Sequence, residues 1–208
     1  MNQGTSADAL PDSPALEEED KARADLYALL GRLFYASPDA VLLRAIVGGG
    51  GIGAEEAKAP LALAWRELGH ACAASNEEAA RVEYDSVFVG TGQAEISLYL
   101  GAYVGRGKAD RLLLDLKQYL AARGLARRES AKEPEDHVAA VFEVMRHLIA
   151  GERASVEDQK AFFNAYLWSG ATALCDAIVA SPQTELYKSV ARFARSFLEL
   201  EHTAFDIG

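Results

Sequence analysis

Glu133-Pro134-Glu135-Asp136-His137-Val138-Ala139-Ala140-Val141-Phe142-Glu143-Val144-Met145-Arg146-His147-Leu148-Ile149 is the stretch on which the fold reading turns. Val138, Val141, Phe142, Met145, Leu148 and Ile149 recur at helical spacing, so one face of this segment belongs to a core. Pro134 suits a first helical turn, where its missing N–H costs nothing. Glu133, Glu135 and Asp136 suit the same tip, because unpaired N–H groups there carry partial positive charge. The reading therefore opens a helix at Pro134, ends it before Gly151, and leaves the polar cluster exposed at its tip. A titratable Asp136-His137 pair is more than a helix start requires, and it is the first candidate for function.

The same periodicity recurs on both sides. Leu26, Leu29, Leu30, Leu33 and Phe34 form an apolar stripe that Ser37-Pro38 stops. A short helix over Asp39–Val47 carries Leu42, Leu43 and Ile46, and one over Ala54–Ala73 carries Leu61, Leu63, Trp65, Leu68 and Cys72. Asn76 is placed to cap a helix through Ala80, Tyr84, Val87 and Phe88 that ends at Gly90-Thr91-Gly92. Leu113, Leu116 and Leu120 make 110–123 amphipathic, with Gly124 closing it. Ser155 caps a helix with Phe162, Phe163, Tyr166, Leu167, Leu174 and Ile178, with a kink expected near Ser169-Gly170. A last helix from about Thr184 carries Tyr187, Val190, Phe193, Phe197 and Leu200. No segment reads as a strand. The expected fold is all-α, a compact bundle of eight to ten helices with short loops and antiparallel neighbours.

Of the 208 residues, half are hydrophobic, ample for one packed interior. Residues 1–18 are small, polar and poor in apolar anchors, and read as a disordered tail before a single domain over 19–208. With 21 basic and 31 acidic residues the net charge is −10 and the pI about 4.9. That balance excludes the cationic surfaces that bind nucleic acid or anionic membranes. Cys72 and Cys175 form no CxxC pair, which points to a reducing, cytoplasmic compartment. No apolar stretch is long enough to span a membrane, and no signal peptide is visible.

Gly48-Gly49-Gly50-Gly51-Ile52-Gly53 invites a nucleotide-binding reading. A dinucleotide fingerprint needs a preceding strand, and a Walker loop needs a Gly-Lys-Ser/Thr ending; both are missing. The run reads as a flexible linker that would divide the domain into two lobes, and as a hinge over which two chains would exchange helices.

Tyr84-Asp85-Ser86-Val87-Phe88-Val89-Gly90-Thr91-Gly92 puts Tyr84, Val87 and Phe88 on one helix face before a glycine stop. Core packing accounts for that pattern, and equally for Tyr99 and Tyr103 further on. The combination says more. A Tyr-x-x-Val-Phe-x-Gly-x-Gly segment, a Tyr-x-x-x-Tyr segment and Glu-Pro-x-Asp-His leading into a helix together resemble the TorD/DmsD family of redox-enzyme maturation chaperones. The likeness extends over most of residues 24–200, taking in Leu29, Leu30, Leu33, Phe34, Pro38, Phe163, Trp168 and the Tyr187–Phe197 helix. Thr91 stands where the family has Pro, and Leu100 and Gly101 where it often has Glu and Ser. The Gly124-Leu125-Ala126-Arg127-Arg128 run into Glu133 is similar to the branch associated with formate dehydrogenase.

The resemblance implies a cytoplasmic protein that binds the apo catalytic subunit of a molybdenum-cofactor enzyme, often by its twin-arginine leader peptide, until the cofactor is inserted. It also implies a TorD-like fold, as a monomer or a helix-swapped homodimer. A receptor for basic residues followed by an apolar segment needs an apolar groove with acidic neighbours. Tyr84, Val87, Phe88, Gly90, Tyr99 and Tyr103 are the candidates for the apolar part, and Glu133 and Asp136 for the arginines, with His137 orienting Asp136 or bonding peptide backbone. His137 also admits a buried structural role, or a catalytic or metal role. The last needs further ligands, and His147, ten residues on, lies roughly 15 Å away along the helix. No cofactor, metal site or catalytic residue is expected.

Two other classes compete. A small all-α hydrolase would use Asp136-His137 with a nucleophile such as Ser97, but no Gly-x-Ser-x-Gly elbow, His-Glu-x-x-His or phosphate loop supports it. A structural helical adaptor would stay with the mature enzyme, whereas a chaperone prefers the cofactor-free form.

Overall fold

The computed structural model describes residues 17–49, 59–90, 94–105, 107–125 and 134–207. The expected N-terminal tail up to residue 16, the glycines at 50–53, residues 54–58 and Glu133 lie outside the described residues. Among the described residues nine α-helical segments follow in order: α1 Glu18–Tyr35, α2 Ala40–Gly48, α3 Pro60–Ala74, α4 Glu77–Tyr84, α5 Ala109–Ala122, α6 Val138–Arg146, α7 Val156–Phe162, α8 Trp168–Ala180 and α9 Leu186–Ile207. Wider π turns prolong α4 over Asp85–Val89 and α6 over His147–Gly151. A third, Phe163–Leu167, joins α7 to α8 without a break, so the described residues hold eight helical rods. The irregularity expected at Ser169-Gly170 thus falls a few residues earlier. Among the described residues the only strand-like pairing is an isolated antiparallel bridge, Tyr99 with His137.

Local chemistry sets the starts. Asn76 Oδ1 accepts the Ala79 N–H at 2.9 Å, and Ser155 Oγ accepts the Asp158 N–H at 3.1 Å, both as their residue types led one to expect. Asp39 does the same for α2, taking the Leu42 N–H at 2.7 Å. Gly124 adopts a left-handed φ of 68° just beyond α5.

Packing sets the rest. Helix α1 lies along α6, while α9 lies between α3 and α8. Their shared interior is aromatic: the Tyr27 ring meets Phe197 edge-on at 4.8 Å, and Phe34 meets Phe142 at 6.0 Å. Both phenylalanines of the second pair are wholly buried, so truncating either to alanine costs about 3–5 kcal/mol. Gly31 allows the close approach of α1 to α6, since a Cβ there would stand 3.2 Å from Glu143 Oε1.

The start of α6 departs from expectation. The helix begins at Val138, with His137 as N-cap, and Pro134–Asp136 form a turn. The cause is non-local. The Val138 N–H donates to Leu98 O, and the Leu100 N–H donates to Asp136 O, each at 2.9 Å. Residues 98–100 thus pair with 136–138, and backbone committed to that ladder cannot also form a helical turn. Asp136 and His137 are consequently covered, at 7% and 6% exposure, rather than presented at an open tip.

Candidate functional site

The candidate residues fall into two groups. The first surrounds the end of α1. The hydroxyl of Tyr84 donates toward Phe34 O and Tyr35 O, at 3.1 and 3.0 Å, and that of Tyr187 donates to Leu33 O at 2.9 Å. The last carbonyls of a helix have no partner within it, so two tyrosines supply what the end of α1 lacks. The Phe88 ring packs on Tyr84 at 5.2 Å and edge-on against Tyr187 at 4.9 Å. Val87 is wholly buried, and its carbonyl accepts the Ile96 N–H. Gly90 closes the π turn with its N–H on Asp85 O, at a φ of 62° that favours glycine. Tyr84, Val87 and Phe88 are therefore interior residues.

The second group surrounds the start of α6. Asp136 Oδ2 accepts the Gly101 N–H at 3.2 Å. A Cβ on residue 101 would stand 2.9 Å from that oxygen, so the contact requires glycine. His137 Nδ1 accepts the Ala139 N–H at 3.3 Å, and its ring meets Tyr99 edge-on at 5.4 Å. Nδ1 thus acts as the cap acceptor at the start of α6. Ser97, the nucleophile of the hydrolase reading, instead takes the Tyr99 N–H on its Oγ and the Tyr103 hydroxyl on its carbonyl. Burial, with the Cys175 thiol nearby, pushes the Tyr103 hydroxyl up to about 12.

Beside this second group lies a groove of about 1020 Å³ between α1, α5 and α6. Leu120, Ala121, Leu125, Ala139, Ala140 and Val144 give it an apolar lining. Arg32, Lys117, Glu135, Glu143, Arg146 and His147 supply its polar groups. Tyr35 also lines it while 68% exposed, an aromatic ring left uncovered at the edge of an apolar cleft. Of the sequence candidates His137 lines the groove, whereas Tyr84, Val87, Phe88, Gly90, Tyr99, Tyr103 and Asp136 do not. Tyr84 still bears on it, because it holds the carbonyl of Tyr35. The groove residues on α1 and α5 carried no sequence signal beyond ordinary amphipathic spacing.

Both rim acids face cations. Glu143 Oε2 accepts from Arg146 at 2.8 Å, and Glu135 Oε2 lies 3.6 Å from Lys117 Nζ. Among the described residues no group of three or more His, Cys, Asp or Glu could hold a metal ion, and no helix is long and apolar enough to cross a membrane.

No curated protein matches the chain. Residues 54–199 match the family described as nitrate reductase delta subunit, a span from α3 into α9 that includes the Tyr84 segment, the groove walls on α5 and α6, and the Asp136–His137 joint. Members of that family assist maturation of molybdoenzymes and are not themselves catalysts. An all-helical body carrying both motifs fits that match, and the chain belongs to the nitrate reductase delta subunit family of molybdoenzyme maturation chaperones.

Proposed function

We propose that this chain holds the cofactor-free catalytic subunit of a molybdenum enzyme, formate dehydrogenase-like, by taking a segment of it into the groove between α1, α5 and α6. The segment is an apolar stretch flanked by basic residues, as in a twin-arginine leader peptide, and the encounter takes place in the cytoplasm. The observation that carries the reading is the groove itself, with its apolar lining and the uncovered Tyr35 at its edge. Burying apolar surface contributes roughly 25 cal/mol per Å², so a client segment gains most of its affinity from this lining. His137 and Asp136 act by fixing the end of the groove. Tyr84, Val87 and Phe88 act by anchoring the end of α1. Release follows when the matured client withdraws the segment, and no covalent step is involved.

The test is affinity for the cofactor-free client and for its leader peptide, compared between the native chain and Ala140→Trp. The indole fills the groove from α6, on a face that is only half-buried. Affinity falls at least tenfold while melting temperature and helix content hold. Unchanged affinity for both ligands in Ala140→Trp sinks the groove assignment. Capture of a different enzyme class from the host's extract sinks the client assignment.

A further inference from the structure

Among the described residues, Glu135 Oε2 is the single carboxylate oxygen that is buried and accepts no hydrogen bond. Its neighbour Lys117 Nζ stands at 3.6 Å, an ion pair beyond hydrogen-bonding reach. The Glu135 side chain is 17% exposed and Lys117 is 50% exposed, so the acid is largely withdrawn from water while its cation is not. A covered carboxylate oxygen without a donor is a costly arrangement, and it persists where something else supplies the donor. Glu135 lines the groove at the start of α6, next to Pro134 and His137.

The other acids nearby are already satisfied. Asp136 accepts the Gly101 N–H and faces the 97–103 loop, and Glu143 is held by Arg146. We infer that Glu135 is the receptor for a guanidinium carried by the segment in the groove, with Lys117 released to solvent when it arrives; the inference rests on the groove reading above. Arginine fits better than lysine because its planar fork reaches both carboxylate oxygens at once. The geometry also orders the segment. Beyond Glu135 the apolar lining runs along α6 from Ala139 through Ala140 to Val144, about 8 Å at the helical rise. An arginine at one end and a short apolar run beyond it match that layout.

Two peptides test this: one with two adjacent arginines followed by ten apolar residues, and the same peptide with both arginines replaced by glutamine. Each is titrated against the native chain, Glu135→Gln, Lys117→Met and Ala140→Trp. The arginine peptide binds Glu135→Gln about tenfold more weakly than the native chain, while the glutamine peptide binds the two alike. Lys117→Met binds the arginine peptide more tightly, because the competing cation is gone. A merely structural role for either residue gives no gain in affinity and no dependence on the peptide's arginines. Equal binding of the arginine peptide by Glu135→Gln and the native chain, with loss in Ala140→Trp, overturns the Glu135 assignment and leaves the groove reading standing. Weaker or equal binding by Lys117→Met overturns the exchange. Failure of the arginine peptide to bind the native chain overturns both readings.

Discussion

The carboxylate of Glu83 accepts the backbone N–H of Tyr187 across 104 positions of chain, at 2.8 Å. The same group takes the Glu185 N–H at 2.9 Å and the Leu186 N–H at 3.0 Å. One side chain from α4 thus satisfies three of the orphan donors that open α9, and places its charge at the positive end of that helix. Glu83→Ala is expected to lose about 1–3 kcal/mol, read from the urea midpoint at unchanged slope. Glu83→Gln, which keeps one acceptor but no charge, falls between.

Gly101 bears on the joint at the start of α6. In Gly101→Ala the new Cβ collides with Asp136 Oδ2, and either the carboxylate or the 98–100 backbone moves. Amide exchange at Leu100 and Val138, the two donors of the bridge, should then quicken well beyond the global change. Protection retained at both amides would show that the joint tolerates a methyl.

The helices were legible from spacing, and Asn76 and Ser155 announced themselves as caps, because these features depend on neighbours within four residues. Features that depend on distant neighbours were not legible. Pro134 reads as a helix opener until residues 98–100 claim the backbone of 136–138. Tyr84 and Phe88 read equally well as core or as cleft lining, and only Tyr187 and the carbonyls at the end of α1 decide for core. Gly31, Arg32 and Tyr35 passed as the end of an ordinary stripe, although they form one wall of the groove. The Asp136–His137 pair read as an exposed tip, and its burial follows from a partner 35 positions away.

Among the described residues Arg23 and Glu201 form the most buried ion pair. The Arg23 Nε lies 2.8 Å from Glu201 Oε1, and Tyr27 and Gln159 complete the network. Burial alone would lower the Arg23 pKa, but the Glu201 contacts, with Tyr27 and Asp20, outweigh it and raise it. Glu201→Ala takes the acceptor from the Tyr27 hydroxyl and leaves the Arg23 guanidinium only Asp20 and Gln159, and should cost about 3 kcal/mol. Arg23→Met with Glu201→Leu should recover much of that loss in the same denaturation assay.

Alkaline pH should unfold the chain earlier than acid-labile surface pairs suggest. Burial raises the thiols of Cys72 and Cys175 from an ordinary 9.0 to about 11 and about 12. It also holds the Tyr27 and Tyr187 hydroxyls well above 10.0. Each raised group favours its neutral, protonated form in the fold, so its contribution is complete below the ordinary value. That contribution is lost as pH climbs toward the raised one. The urea midpoint should therefore hold up to about pH 9 and decline between pH 9 and 12. Both thiols should resist a disulfide reagent at pH 8 until urea unfolds the chain.

Helix α5 forms one wall of the groove, yet it fully buries only Leu116 and Leu120, whereas α9 buries residues along its whole length. A rod fastened at so few points separates from its support at a fraction of the free energy needed to melt the whole protein. Its amides should exchange with deuterium ahead of those in α1, α6 and α9, and slow down once the cleft is filled. On the groove reading proposed above, the cleft's width is then an elastic quantity, and a client segment that pries that rod away can carry residues of unequal bulk without the interior being rebuilt.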